Sequence, residues 1–221
     1  MHEKLRDLRQ MSGDRNVTIK VKQGRGNKVH IFLDGEYAAT ATLHFWSVYG
    51  LKNGDEISED EWESLKDKIA YEKMYGRALD LLAIRDHSER ELSDKLLKKC
   101  GFDKKAQIED VCAELKDRGY LDDYRFAVAY AEELIRKKHP APSGLRAALF
   151  AKGIPRDIVN EVMDSVEIDT RSFINELLDT RYRNVDLTNE TLRNRTFSAL
   201  LRLGYSYSEI KSVFYERTHI D

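Results

Sequence analysis

Hydrophobic residues recur at every second position near the start of the chain and at a helical spacing further along. Alternating runs occupy residues 17–21, 29–33 and 37–43, and a period of two is typical of strands that bury one face. Asp34-Gly35 separates the last two runs and is a strong hairpin signal. We therefore predict a three-stranded antiparallel meander within a small amino-terminal domain, residues 1–57.

The pattern becomes helical after this domain. Ser58 begins a capping-box pattern, and three hydrophobic residues then share one helical stripe, Trp62, Leu65 and Ile69. Gly76 weakens the pattern, so we predict a connecting helix over residues 58–75 with a domain boundary at its end. The polar segment 1–15 shows no period, and we expect it to fray.

Three glycines, Gly101, Gly153 and Gly204, recur at intervals of 52 and 51 residues, and each closes the same short pattern. A leucine lies four residues before each glycine, and a hydrophobic residue follows it. Such a period indicates tandem structural repeats. We predict a mainly α-helical body of three three-helix repeats that stack into an elongated, curved array. Their expected bounds are residues 76–121, 122–168 and 169–221.

The composition excludes membrane-spanning and disordered classes of protein. Of the 221 residues, 41% are hydrophobic and 34% are charged, which is typical of a soluble globular chain. No uncharged stretch approaches the roughly 20 apolar residues that a membrane span needs, and the amino terminus lacks the core of a signal peptide. We therefore expect a cytoplasmic protein. The two cysteines and six histidines show no ligand spacing, so we expect neither metal nor cofactor.

The sequence contains no arrangement that favours catalysis. It has no glycine-rich phosphate loop, nucleophile elbow or zinc-protease motif. Asp122-Asp123 is the one obvious pair of carboxylates, but adjacent side chains point in different directions. Because the pair directly precedes a helical pattern, we predict that it caps that helix. The sequence thus favours a protein that is not an enzyme.

The net charge of −2 conceals two basic segments. Residues 134–156 contain six basic residues and no acidic one, and residues 191–208 contain three arginines and no acidic residue. Cations in a row are suited to phosphate or to an acidic protein surface. A solvated helix end, where the helix dipole favours cations, is the alternative interpretation. The candidate binding residues are Arg136, Lys137, Lys138, Arg146 and Lys152, with Arg193, Arg195 and Arg202 as a second patch.

Three segments of the chain resemble the RecX regulators of the RecA recombinase. The first is Arg85-Asp86-His87-Ser88, followed by Glu91-Leu92 and Lys95-Leu96. The second is Gly119-Tyr120-Leu121-Asp122-Asp123 with Arg125-Phe126-Ala127, and the third is Lys152-Gly153-Ile154. They match in order and at the spacing of the family, across residues 76–165. The chain departs from the family at His139–Ser143, where two prolines replace the usual glycines and basic residues.

The resemblance implies a non-enzymatic protein that binds the RecA–DNA filament along its helical groove. Such a protein would inhibit filament growth, ATP turnover, strand exchange and co-protease activity, and so regulate recombination, DNA repair and the SOS response. We expect a monomer that meets single-stranded or duplex DNA chiefly through RecA. The alternative is a stand-alone DNA-binding regulator built from helix-turn-helix-like units. The acidic third helices of the repeats argue against it, because a recognition helix must approach phosphates.

Overall fold

The computed structural model describes residues 16–219. Residues 1–15, which we expect to fray, lie outside this range, and so do residues 220 and 221. Within it the chain is mainly helical, with an amino-terminal antiparallel sheet and ten α-helices, of which nine follow the last strand. The predicted fold class, a small β-rich domain before three groups of three helices, is thereby confirmed.

Four strands form the sheet in the order β3-β2-β1-β4. They are β1 (Asn16–Gln23), β2 (Lys28–Leu33), β3 (Glu36–Thr42) and β4 (Glu56–Ser58). The predicted three-stranded meander is confirmed, and Asp34 and Gly35 both adopt positive φ at its second turn, as a two-residue hairpin turn requires. Strand β4 pairs with the free edge of β1. Its three residues are too few to show an alternating pattern.

One face of the sheet is buried beneath two helices, α1 (Leu43–Tyr49) and α2 (Glu59–Ile84). Ile19 and Ile31 point into this core and are fully buried. Helix α1 contributes Trp46 to the same cluster, and α2 contributes the predicted stripe of Trp62, Leu65 and Ile69. The helices therefore supply the apolar surface that three short strands cannot provide alone.

Helix α2 runs for twenty-six residues and passes through Gly76 without a break. A glycine inside a helix lowers its stability by about 1 kcal/mol relative to alanine but does not end it. The described residues divide into two compact units, each made of two stretches of the chain. The first unit contains the residues up to Ala83 together with Leu96–Glu114. The second contains Ile84–Lys95 together with the residues from Leu115 onward. The domain boundaries drawn from the sequence stay a prediction.

Eight further helices complete the chain. They are α3 (Glu89–Cys100), α4 (Lys105–Asp117), α5 (Asp123–Lys138), α6 (Pro142–Ala151), α7 (Arg156–Ser165), α8 (Thr170–Asp179), α9 (Glu190–Leu203) and α10 (Tyr207–Thr218). The helices fall into three groups: α2–α4, α5–α7 and α8–α10. The second helix of each group is followed by a glycine with φ between 80° and 102°, namely Gly101, Gly153 and Gly204. A left-handed residue at this position lets the last carbonyls of a helix find donors.

The second and third groups each enclose a hydrophobic core. In the second group Leu145 and Leu149 of α6 pack with Val159 and Val162 of α7, and all four are fully buried. The third group is built in the same way around Leu200 and Ile210. Three short helices thus acquire a core from the faces that the helical pattern predicts.

Candidate functional site

The segments that carry the family resemblance meet at one place in the second compact unit. We call it the joint: the start of α3 (residues 85–91), the start of α5 (residues 119–125) and the end of α6 (residues 152–153). The Ser88 hydroxyl accepts the N–H of Glu91 at 3.1 Å and donates to the carbonyl of Lys152 at 2.7 Å. One serine therefore caps α3 and attaches it to the second group of helices.

A carboxylate with two cationic partners lies at the centre of the joint. Glu91 accepts a hydrogen bond from Arg85 at 2.8 Å and another from Lys152 at 2.9 Å. These bonds, the one from Arg85 above all, lower the pKa of Glu91 to about 2 although partial burial opposes them. A second ion pair joins Arg125 to Asp86 at 3.2 Å. Side chains from both groups of helices thus neutralise each other here.

His87 is almost fully buried beside this cluster. Its Nδ1 lies 3.0 Å from the carbonyl of Arg85 and its Nε2 lies 2.7 Å from the ammonium of Lys95. Because a carbonyl only accepts and an ammonium only donates, the imidazole is neutral with its proton on Nδ1. Burial, with the charges of Arg85 and Lys95, lowers its pKa. The neutral ring therefore links the carbonyl of Arg85 to the ammonium of Lys95 within the joint.

The two adjacent aspartates cap different helices. Asp122 accepts the N–H of Arg125 at 2.9 Å and caps α5, as predicted. Asp123 is buried and accepts the N–H of Glu89 at 2.8 Å, so the prediction that it caps α5 is wrong. Burial raises the pKa of Asp123, and the Glu89 N–H and Lys116 partly offset this. Both carboxylates are held by backbone donors rather than offered to a substrate.

The end of α6 fits the joint because Gly153 has no side chain. A Cβ atom placed on this glycine would lie 2.3 Å from the side chain of Arg90. The second and third groups meet in the same way, since the Ser143 hydroxyl donates to the carbonyl of Gly204 at 3.0 Å. A Cβ on Gly204 would likewise meet Ser143. Two of the three repeated glycines, Gly153 and Gly204, therefore mark contacts between neighbouring repeats as well as helix ends.

Three of the five residues in the first predicted basic cluster have partners. Lys152 binds Glu91 in the joint and lies over the ring of Tyr130 at 5.2 Å. Lys137 pairs with Glu133 at 2.5 Å, and Arg146 donates to the side chain of Asn160 at 2.7 Å. These three cations stabilise the fold locally. Their availability for a partner is correspondingly reduced.

Arg136 and Lys138, in the last turn of α5, differ from the other three. Both are exposed, and neither forms an ion pair with any residue between 16 and 219. Arg136 lines a groove of about 700 Å³ between α5 and the end of α7, together with Tyr124, Val128 and Glu167. The groove combines apolar side chains with charges of both signs.

The second predicted patch is divided between two faces of α9. Arg195 and Arg202 lie seven positions apart, so about 100° per residue places them on one side of the helix. Both are exposed, and neither forms an ion pair with a residue in the described part of the chain. Arg193 is nine positions from Arg202 and points to the opposite side, where it lines a separate hollow. The structure thus brings together two of the three arginines.

Among residues 16–219 no group of three or more histidine, cysteine, aspartate or glutamate side chains is placed to hold a metal ion. Nor is any helix of this range both long enough and apolar enough to cross a bilayer.

Comparison with known proteins identifies two of the helical groups. Residues 75–115 match a family model described as the first three-helix domain of RecX, and residues 122–163 match the second three-helix domain. The third group of helices lies outside both matched segments.

Curated relatives extend the similarity over most of the chain. A regulatory protein RecX of Clostridium tetani is 29% identical over 208 residues, which cover 92% of this chain and 94% of the relative. The regulatory protein RecX of Bacillus subtilis is 28% identical over 196 residues, or 88% and 74% of the two chains.

Solved structures share the fold. A crystal structure of a regulatory protein RecX superimposes with a TM-score of 0.72 and 23% identity, covering 89% of this chain and 98% of the other. RecX from Lactobacillus salivarius gives a TM-score of 0.55 at 23% identity, covering 66% and 96%.

Proposed function

The chain belongs to the RecX family of regulatory proteins, and from this premise we propose that it binds the RecA recombinase on DNA and inhibits it. The inhibited activities are ATP turnover, strand exchange and co-protease activity, and through them recombination, DNA repair and the SOS response. The protein acts as a non-enzymatic monomer, and RecA mediates most of its contact with DNA.

The observation that supports this proposal most directly is the difference between the joint and the basic surface. In the joint, most charged side chains have a partner: Arg85 and Lys152 bind Glu91, Arg125 pairs with Asp86, and Asp123 accepts a backbone N–H. By contrast Arg136, Lys138, Arg195 and Arg202 project from the second and third groups, and no described residue pairs with them. Uncompensated surface cations attract polyanions and acidic protein surfaces.

The groove beside Arg136 favours protein as the main partner. A surface that recognised only phosphates would be uniformly basic, whereas this groove also contains Glu132 and Glu167. Its apolar side chains, Tyr124 and Val128 among them, are only partly buried and provide the area that protein contacts need. Repeated weak contacts along a filament can then add through effective concentration.

RecA's ATP turnover on single-stranded DNA provides the test. We expect the protein to lower turnover when it is present at well below one copy per recombinase. The double substitution Arg136→Glu with Lys138→Glu should raise the concentration for half-inhibition by about tenfold, since two surface contacts become repulsive. The matched control is Lys98→Glu with Lys99→Glu, two exposed lysines in the last turn of α3.

The control variant should inhibit as the unmodified protein does. If the Arg136 and Lys138 variant also inhibits without loss, the assignment of this surface is wrong. If the unmodified protein has no effect at equimolar concentration, the recombinase proposal itself fails. Sequence-specific duplex binding without RecA would then favour the stand-alone DNA-binding regulator.

A further inference from the structure

A hollow of about 380 Å³ lies between α9 and α10 in the third group of helices. We call it the aromatic hollow, and the lining residues that matter here are Arg193, Phe197, Tyr207, Lys211, Tyr215 and His219. It lies on the face of α9 opposite to Arg195 and Arg202. The surface proposed above for RecA therefore does not include it. Arg193 is the one residue of the second predicted patch that lines the hollow.

Two tyrosines leave most of their surface exposed at the edges of the hollow. Tyr207 is 63% exposed and Tyr215 is 62% exposed. Both are held in place: Tyr207 packs against Phe197 with ring centroids 5.0 Å apart, and Tyr215 stacks on His219 at 4.2 Å. Aromatic rings that are both ordered and open to solvent are available to stack on a planar ligand.

The cations of the hollow have no acidic partner. Arg193 and Lys211 form no ion pair with any residue of the described chain, and the lining includes no carboxylate. Elsewhere in the same group of helices the pattern is different, since Arg171 pairs with Glu216 and Arg217 pairs with Asp179, each at 2.6 Å. The hollow therefore carries a local excess of positive charge, which fits an anionic ligand.

The spacing of these side chains suits a chain-like ligand. Tyr207, Lys211 and Tyr215 follow each other at intervals of four residues along α10 and form one stripe. At 1.5 Å per residue the stripe spans about 12 Å, which equals about three nucleotides at the 3.4 Å spacing of stacked bases. Arg193 on α9 supplies a second cation across from the stripe.

We propose that the aromatic hollow binds single-stranded nucleic acid. Bases stack on Tyr207 and Tyr215 while Arg193 and Lys211 contact the intervening phosphates, the combination by which proteins hold single strands without reading their sequence. Duplex is a poor ligand, because its bases already stack on each other and expose only their edges. An acidic peptide would satisfy the cations but would leave both tyrosines unused. This site goes beyond the proposed action on RecA and does not depend on it.

Fluorescence anisotropy with a labelled 12-nucleotide oligothymidine, without recombinase, tests the site. Tyr207→Ala and Tyr215→Ala should each weaken binding by about fivefold or more, the lower range for loss of one stacked base. Tyr37→Ala is the matched control, since Tyr37 is similarly exposed (59%) but belongs to the amino-terminal sheet and not to the lining of the hollow. Because the mutated rings are exposed, far-ultraviolet circular dichroism should show unchanged helix content.

A second comparison separates stacking from charge. An oligonucleotide with three consecutive abasic sites keeps its phosphates, so the unmodified protein should bind it more weakly than the intact strand. The double variant Tyr207→Ala with Tyr215→Ala, which lacks both stacking rings, should not distinguish the two. Lys211→Ala should lower the slope of log K against log salt by about 0.7, the value for one phosphate contact on a single strand.

Two results would overturn the proposal. One is equal affinity of the unmodified protein for intact and abasic strands; the other is undiminished binding by both tyrosine variants. Preferential binding of an acidic peptide, with no binding of the oligonucleotide, would assign the hollow to a protein partner instead. None of these results bears on inhibition of RecA, which is measured separately.

Discussion

Asp123, in the first turn of α5, accepts the backbone N–H of Glu89 at 2.8 Å and so caps α3, a helix that begins 34 residues earlier in the chain. A cap normally comes from the residue just before its helix. Here Ser88 provides that local cap, and Asp123 adds a second acceptor from the next group of helices. The formation of α3 is thereby coupled to the docking of α5.

We expect Asp123→Ala to lower the free energy of unfolding by about 2 kcal/mol. The substitution removes an acceptor from the partly buried N–H of Glu89, and both the lost cap and the unsatisfied donor destabilise the fold. Asp123→Asn keeps one acceptor oxygen in place, so its loss should be clearly smaller. Urea denaturation followed by circular dichroism measures both. Equal losses for the two variants would contradict the capping role.

Glu91 gives a prediction for acid stability. Its pKa is about 2 in the folded protein, against an ordinary value near 4.5. A lowered carboxyl pKa contributes stability that is complete above the unfolded pKa and is lost as the pH falls toward the folded one. The contribution of Glu91 should therefore disappear between about pH 5 and pH 2.

Glu91→Gln tests this pH dependence. At pH 7 we expect a loss of about 2 kcal/mol, typical of hydrogen bonds to a charged group. The difference between variant and unmodified protein should shrink steadily below pH 5. Asp123, whose pKa is raised, changes stability in the opposite sense, but it is present in both proteins and cancels in the comparison. A difference that stays constant down to pH 2 would mean that the two cations do not stabilise the Glu91 carboxylate.

The sequence predicted the elements better than it predicted the contacts. Alternation, the capping box at Ser58 and the repeated glycines depend on neighbouring residues, and they placed the meander and most helix ends correctly. The predicted end at Gly76 is wrong, since α2 continues to Ile84. Lys152 shows where this fails: it was counted as a binding cation, yet its partner Glu91 lies 61 residues earlier. A count of charges cannot reveal whether a distant carboxylate will neutralise them.

The second predicted patch also depends on information that a count of charges does not contain. The division of Arg193 from Arg195 and Arg202 follows from helical geometry alone, so the sequence contained that information once the helix was known. Only part of the aromatic hollow could be predicted from the sequence. Tyr207, Lys211 and Tyr215 have a readable spacing on α10, but Phe197 and Arg193 join them only when α9 packs alongside.

Gly153 should tolerate no side chain, for two separable reasons. Its φ of 80° disfavours other residues, and a Cβ would lie 2.3 Å from Arg90. Gly119 is the matched control in the same compact unit, with a φ of 74° and open space around it. Gly119→Ala should cost about 1 kcal/mol from backbone strain alone, and Gly153→Ala should cost about 1–3 kcal/mol more from overpacking.

Thermal or urea unfolding of a double-mutant cycle identifies the source of that extra loss. Arg90→Ala removes the Cγ and Cδ atoms but keeps the Cβ atom, which would still lie 2.6 Å from the new methyl group. If Arg90 causes the clash, Arg90→Ala should therefore recover part of the stability that Gly153→Ala loses beyond Gly119→Ala. Additive effects of the two substitutions would show instead that the joint accommodates the methyl group by moving the backbone.

The two faces of α9 should separate two activities. Arg195→Glu with Arg202→Glu changes only the face proposed for RecA, and we expect about tenfold weaker inhibition of RecA's ATP turnover. The same variant should bind oligothymidine nearly as well as the unmodified protein, because neither arginine lines the aromatic hollow. Arg193→Ala should do the reverse: it removes a cation from the hollow and leaves the opposite face intact.

The two variants change arginines on opposite faces of the same helix. Each variant is therefore the control for the activity that the other is expected to change. Equal loss of both activities in both variants would mean that a single diffuse positive field, not two surfaces, governs binding. Because a diffuse field weakens with ionic strength for every partner alike, repeating both assays at two salt concentrations would identify that case directly.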